Sequence, residues 1–323
     1  MTTMTLGGAI NSGLAAAMAA DDRVMVMGED VGVLGGVFRV TDGLQRRFGA
    51  ARVVDTPLTE SGIVGTAIGL ALRGYRPVCE IQFDGFVYPA FDQIVSQLAK
   101  MRARSGGTIA LPVVIRIPVG GGIGAVEHHS ESNEAYFAHT AGLRVVSCSN
   151  PGDAFHMIQE AVRCDDPVIF YEPKRHYWQK GEVEETCVER RDTARVCVDG
   201  TDCTLIAYGG SVAPALAAAR AAQEDGYSVG VVDLRNLSPL DVPTLIEQVR
   251  RTGRAVVVHE ASTFAGLGAE IAATITERCF RELNAPVLRV GAYNLPYPPA
   301  RVEEKFLPDV DRVLEAVDRS LFF

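Results

Sequence analysis

The sequence predicts an α/β protein built as two tandem doubly wound domains. Short, continuous Val- and Ile-rich runs alternate with helix-length segments, the pattern of a parallel sheet covered on both faces. The alternation stops once, across a charged stretch, and then starts again. At 323 residues the chain is long enough to bury two cores.

In the N-terminal half an Ala-rich helix is expected over residues 6–20, and a strand over 24–27 ends at Gly28-Glu29-Asp30. A second strand covers 52–55, and a helix follows Glu60. Strand 76–81, helix 90–104 and strand 113–117 come next, then βα pieces at 143–148, 153–163 and 168–171. Twelve of the 27 residues from 174 to 200 are charged and no apolar period survives there, which reads as a linker or surface strap. The second series has strands at 203–208, 229–234, 255–259 and 287–290, with helices at 214–225, 240–251, 267–283 and 310–320. The expected division is therefore a first domain over 1–180, a charged linker over 181–200 and a second domain over 201–323.

The net charge of -9 argues against nucleic acid and anionic membrane surfaces as partners. No apolar run reaches the roughly 18 residues that span a bilayer, and no basic region precedes an apolar core near Met1. Seven cysteines form no Cys-x-x-Cys pair and no zinc spacing, as in reduced cytosolic proteins. A cytoplasmic protein is expected.

The most informative stretch is Asp55-Thr56-Pro57-Leu58-Thr59-Glu60-Ser61-Gly62-Ile63. Pro57 and Thr59 suit a helix start. The helix that follows carries no charge through Leu72 and is small or apolar on every face, so it is expected to be buried all round. Glu60 would then stand at the mouth of a dry helix, where an acid is costly without a partner. The alternative is a first-turn surface Glu that complements the helix dipole.

Gly120-Gly121-Gly122-Ile123-Gly124-Ala125 formally satisfies a dinucleotide fingerprint. It lacks the following helix and the acid about 20 residues on that such a site needs. It reads instead as a glycine loop presenting Glu127-His128-His129-Ser130-Glu131. Adjacent histidines do not easily face one metal. A general acid–base histidine and a plain solvated loop both remain open. Residues 82–93 pack Phe83, Phe86, Tyr88 and Phe91 at a strand-to-helix junction, where pockets of parallel sheets open. Phe83 and Phe91 suit core, whereas Phe86 near the polar Gln82 suits stacking on a planar ring.

Taken in order, Gly28-Glu29-Asp30 with Gly35-Gly36-Val37-Phe38-Arg39, Thr56–Glu60, Phe86 with Pro89–Gln93, His129-Ser130 and Pro296-Tyr297-Pro298 resemble one family. It comprises the transketolase-like beta subunits of thiamine-diphosphate-dependent 2-oxo acid dehydrogenases, and the resemblance is essentially full length. It implies that Glu60 shares a proton with the ring nitrogen of the thiamine aminopyrimidine. The exocyclic nitrogen can then remove the thiazolium proton, and the cofactor becomes an electron sink for loss of carbon dioxide. Phe86 matches the residue that stacks on the pyrimidine, and Leu58 and Gln82 match positions lining the same pocket. Glu29 matches an acid on a buried proton path between paired sites, and His129 the histidine that assists acyl transfer to lipoyl groups.

The Gly-Asp-Gly and later Asn with which thiamine-diphosphate enzymes that have a complete site hold magnesium and diphosphate are absent; Gly152-Asp153-Ala154 is the nearest approach. The resemblance therefore implies an alpha subunit that holds magnesium and the diphosphate half, in an α2β2 heterotetramer. It further implies a lipoyl-bearing dihydrolipoamide acyltransferase partner. A potassium ion would sit on backbone carbonyls at Val113, Ala161, Val162, Cys164 and Asp166. Tyr171-Glu172-Pro173-Lys174 and Asp84-Gly85-Phe86 resemble branched-chain members, so 3-methyl-2-oxobutanoate is the expected substrate. Pyruvate or acetoin, or a noncatalytic scaffold role, are the alternatives.

Overall fold

The computed structural model describes residues 1–186 and 191–323. The chain divides into two compact units. The first comprises Met1–Val119 with the described part of 136–189, and the second Gly120–Ala135 with the described part of 190–323. The glycine loop and His129 thus group with the second unit, although they interrupt the first in sequence.

In the first unit six parallel strands lie in the order Arg144–Ser147, Val168–Pro173, Val114–Val119, Arg76–Glu80, Val24–Gly28 and Val53–Asp55. Their side chains are largely buried, as the uninterrupted apolar runs require. Helix Leu6–Ala20 starts where the Thr5 side chain accepts the Gly8 N–H at 3.1 Å, a cap worth about 1 kcal/mol. It crosses helix Pro151–Arg163, which begins with Pro151 in its first turn and an Asn150 cap on the Asp153 N–H. The core between them includes Leu6, Ile10, Leu14, Phe155 and Ile158.

Three expectations change. Helix Glu60–Leu72 is not buried all round: Ile63, Val64, Ala67, Ile68 and Ala71 are covered, while Gly62, Thr66, Gly69 and Leu72 face outward in this chain. Its sequence looks core-like on every face because the outer face is small rather than polar. The helix expected over 90–104 is preceded by a 3-10 turn, Asp84–Ala90, and passes through a π-helical segment, Gln93–Leu98, before the regular turns of Ala99–Arg104. Pro89 lacks the N–H that an α-turn would use there. Within the charged stretch, Lys180–Val183 pairs antiparallel with Thr2–Thr5, and Arg195–Val198 forms a strand of the second unit. In Thr2–Thr5 and Lys180–Val183 polar side chains hide the strand period, whereas Arg195–Val198 is too short, at four residues, to show one.

In the second unit Leu288–Ala292, Ala255–Ser262, Cys203–Ala207 and Val229–Asp233 are parallel neighbours, with Arg195–Val198 antiparallel at the edge. Val212–Glu224 and Val310–Leu321 cover a core that includes Leu205, Val231, Val256 and Val313. The helix expected to reach 283 stops at Cys279. The buried Cys79 and Cys203 thiols are each pushed up to about 12 by desolvation, so they are inert at neutral pH. Among the described residues no helix is long and apolar enough to cross a membrane.

Candidate active site

The first unit gathers its site residues at the carboxyl ends of three neighbouring strands. Gly28 pairs in register with both Asp55 and Glu80. Glu29 follows the first of these strands, Thr56 to Glu60 the second, and Gln82 to Phe86 the third. Period-two pairing places these segments side by side although up to 57 residues separate them, Glu29 to Phe86 being the widest gap. The Thr56 N–H donates to the Gly28 carbonyl at 2.9 Å, and the Gln82 side chain reaches the Glu29 carbonyl at 3.5 Å. Helix Glu60–Leu72 packs on the 3-10 turn that carries Phe86.

Glu29 is the least comfortable group of this set. It is 4% exposed, and neither carboxylate oxygen has a hydrogen-bond partner among the described residues. Burial raises its pKa, and the charges of Glu60 and Asp30 raise it further. Glu60 itself is half-buried in the first helical turn rather than sealed in a dry mouth. Two acids, one buried and unpaired, therefore stand beside each other, an arrangement that favours a proton shared with a basic ligand atom. Phe86 is half-buried and meets Phe83 edge-on at 5.7 Å; Phe83 in turn meets Phe38 at 5.4 Å. Phe83 and Phe91, read as core, are both half-buried members of aromatic clusters instead. Leu58 is 84% exposed, so this chain offers one wall of a pocket rather than a closed cavity.

Sequence reasoning missed the polar supports beneath this site. Fully buried Arg116 donates to Glu80 Oε2 at 2.5 Å and to Glu172 Oε1 and Oε2 at 2.6 and 2.9 Å. The Tyr177 hydroxyl donates to Glu172 Oε2 at 2.5 Å. Burial raises the Glu80 pKa, with Arg116 opposing. Beside it, Lys174 Nζ donates to Asp84 Oδ1 at 2.6 Å at the head of the Phe86 turn. The only sequence signal was a set of charges inside otherwise apolar strands.

In the second unit the Gly120 N–H donates to the Glu131 carbonyl at 3.0 Å and closes the loop between them. His128 and His129 lie on its 3-10 turn, Glu127–His129, with ring centroids 4.3 Å apart. His128 is exposed and approaches Glu127 at 3.6 Å; His129 is half-buried.

At the loop proposed for potassium, the Val162 and Cys164 carbonyls accept from Arg76 Nη1 at 2.9 and 3.2 Å. Those of Val113 and Ala161 accept backbone N–H groups at 2.9 and 3.2 Å. Each of these four keeps one lone pair. Asp165 pairs with Arg76 and Asp166 with Arg102, which offsets the guanidinium charges. A weakly hydrated monovalent cation is chemically compatible with this donor set. Asp153, in the nearest approach to Gly-Asp-Gly, is buried and accepts from the side chain of the Asn150 cap at 2.7 Å, so it braces the start of that helix. No cluster of three or more His, Cys, Asp or Glu suited to a metal ion occurs among the described residues.

Comparison with known proteins agrees with this layout. Residues 2–179 match the transketolase pyrimidine-binding domain, and residues 192–313 the transketolase C-terminal domain. A solved structure, a split-gene transketolase described as an inactive beta4 tetramer, shares the fold with a TM-score of 0.82 at 22% identity, covering 99% of this chain and 98% of that one. The pyruvate dehydrogenase E1 component subunit beta of Leifsonia xyli subsp. xyli is 58% identical over 98% of this chain and 94% of its own length. The 3-methyl-2-oxobutanoate dehydrogenase subunit beta of Mycobacterium tuberculosis is 54% identical over 99% and 92%. The pyruvate dehydrogenase E1 subunit beta of Staphylococcus epidermidis is 46% identical over the full length of both. The chain belongs to the transketolase-like, thiamine-dependent family of 2-oxo acid dehydrogenase E1 beta subunits.

Proposed function

We propose that this chain is the catalytic beta subunit of a branched-chain 2-oxo acid dehydrogenase and supplies the pyrimidine half of a thiamine diphosphate site. The observation that carries this reading is the convergence of Glu29, the Glu60 helix and Phe86 at three adjacent strand ends. When bound, the cofactor supplies an electron sink that lets carbon dioxide leave a 2-oxo acid. Glu60 holds a proton at the pyrimidine ring nitrogen, and Glu29, whose own proton is favoured by burial, relays it. Phe86 stacks on the ring, while Leu58 and Gln82 line the same wall. His129 serves acyl transfer to a lipoyl group on the acyltransferase.

The missing Gly-Asp-Gly and the open wall at Leu58 support an alpha subunit that holds magnesium and the diphosphate in an α2β2 assembly. A potassium ion on the Val113, Ala161, Val162, Cys164 and Asp166 carbonyls belongs to the same reading, as does a cytoplasmic location. Exchanging potassium for sodium should then lower the Tm of the assembled enzyme. The branched-chain preference is supported by the Lys174–Asp84 contact, because it joins the two segments that resemble branched-chain members. The pyruvate reading is favoured by the Leifsonia relative.

The test is Glu60→Gln in enzyme reconstituted with its alpha subunit. Turnover should fall roughly 100-fold or more, the usual contribution of a general acid–base group. Unchanged turnover would leave only the scaffold role. Decarboxylation of 3-methyl-2-oxobutanoate faster than that of pyruvate supports the branched-chain assignment, and the reverse order replaces it.

A further inference from the structure

The glycine loop that carries His129 is gripped by side chains from more than 130 residues away in sequence. Glu303 Oε1 accepts the Gly124 N–H at 2.9 Å, and Oε2 accepts the Gly122 N–H at 3.2 Å. The Tyr297 oxygen also accepts the Gly122 N–H at 3.2 Å, and the hydroxyl donates to Glu303 Oε2 at 2.8 Å. Glu260 Oε2 accepts the Gly121 N–H at 3.2 Å. Glu303 and Tyr297 are 7% and 8% exposed, so their polar atoms are directed at the loop and not at solvent.

Glycine is required here for space. A Cβ on Gly121 would lie 1.9 Å from the Tyr297 oxygen, and one on Gly120 would lie 2.4 Å from Glu260 Oε2. Successive backbone N–H groups in such a loop form a concave anion site. In this protein the chain's own carboxylates fill it. Hydrogen bonds to charged acceptors are about twice as strong as neutral ones, so several of them hold one stem of the loop firmly. The other stem is closed by the Gly120–Glu131 bond, and the His129 N–H donates to Val126 at the tip.

We propose that Glu303, Tyr297 and Glu260 form a clasp that positions His129 for acyl transfer to the lipoyl group. The inference rests on the reading of His129 given above. In that step the lipoyl S–S bond would break as a C–S bond forms to the acyl carbon, and the bond holding that carbon to the bound cofactor would then break and return its electron pair to the cofactor. The disulfide is reduced as the acyl carbon is oxidised, and His129 gives the departing sulfur its proton. The three clasp residues are positioning residues and act only through the loop.

The experiment uses the reconstituted α2β2 enzyme and two assays: decarboxylation read with ferricyanide as electron acceptor, and acylation of an isolated lipoyl domain. Glu303→Gln and Tyr297→Phe should each lower lipoyl acylation roughly tenfold, the effect of about one charge-assisted hydrogen bond. The ferricyanide rate should stay within about twofold of wild type. Glu260→Gln, which alters the acceptor of the Gly121 N–H, should fall between wild type and Glu303→Gln and provides a milder variant if the others fold poorly. A parallel loss in both assays, or no loss in either, overturns the clasp. His129→Ala is the control: retained lipoyl acylation in that variant refutes the histidine's role. Its loss there alongside normal acylation in the clasp variants refutes only the clasp.

Discussion

Lys174 Nζ donates to Asp84 Oδ1 at 2.6 Å, joining two fully buried charges 90 residues apart in sequence. Asp84 opens the 3-10 turn that carries Phe86, and Lys174 opens the turn after strand Val168–Pro173. The same ammonium lies 6.0 Å from the centre of the Phe83 ring. The pair thus ties the aromatic wall of the proposed pocket to the end of a strand two places away in the sheet.

Removing one partner leaves a buried charge without its counterion. Lys174→Met should therefore destabilise the enzyme by about 3–5 kcal/mol in urea unfolding. The double variant Asp84→Leu with Lys174→Met should lose less than the sum of the two single changes. Strict additivity would show that the charges are energetically independent.

His259 makes stability pH-dependent. It is 0% exposed, and desolvation lowers its pKa from 6.5 to about 4, with a backbone contact to Ala261 opposing. The folded state therefore holds the neutral ring, while the unfolded chain takes up a proton at 6.5. Stability is fully present above that pH and falls as pH drops through the window from 6.5 to about 4. The slope is about 1.4 kcal/mol per pH unit, for a total near ~3 kcal/mol. His259→Asn should flatten this part of the curve in thermal unfolding at stepped pH. An unchanged curve would assign the loss to other groups.

The isolated chain should bind thiamine diphosphate poorly. Leu58 stands exposed, and Asp153 is buried and bonded to the Asn150 helix cap. Calorimetric titration of this chain with cofactor and magnesium should show weak heat, and addition of the alpha subunit should restore tight binding. Tight magnesium-dependent binding by this chain alone would contradict the shared site.

Tyr177→Phe tests the buried network under the strand ends. It removes the hydroxyl that donates to Glu172 and leaves that carboxylate relying on Arg116. The expected loss is about 1–3 kcal/mol in denaturant unfolding, without a change in fold by circular dichroism. A neutral result would mean that the two Arg116 bonds satisfy Glu172.

Regular elements were legible where local period and burial coincide. The helix expected at residues 6–20 is Leu6–Ala20, and the central strands fall within a residue or two of their expected positions. Legibility failed at Thr2–Thr5 and Lys180–Val183, whose polar edge positions carry no apolar alternation. It failed again at Asp84–Leu98, where the hydrogen-bonding pattern passes from 3-10 to π turns without a matching change in period. The helix after Glu60 misled because small residues look equally suited to core and to an uncovered face.

By itself the sequence determined the α/β class and the alternation of most central strands and helices. Those follow from local composition and spacing. Only the tertiary structure decided that Glu29 is a buried acid next to Glu60, that Lys174 answers Asp84, and that Glu303 and Tyr297 hold the glycine loop. Such partners are distant in sequence, and their affinity depends on desolvation, which arises only once the strands and loops have packed.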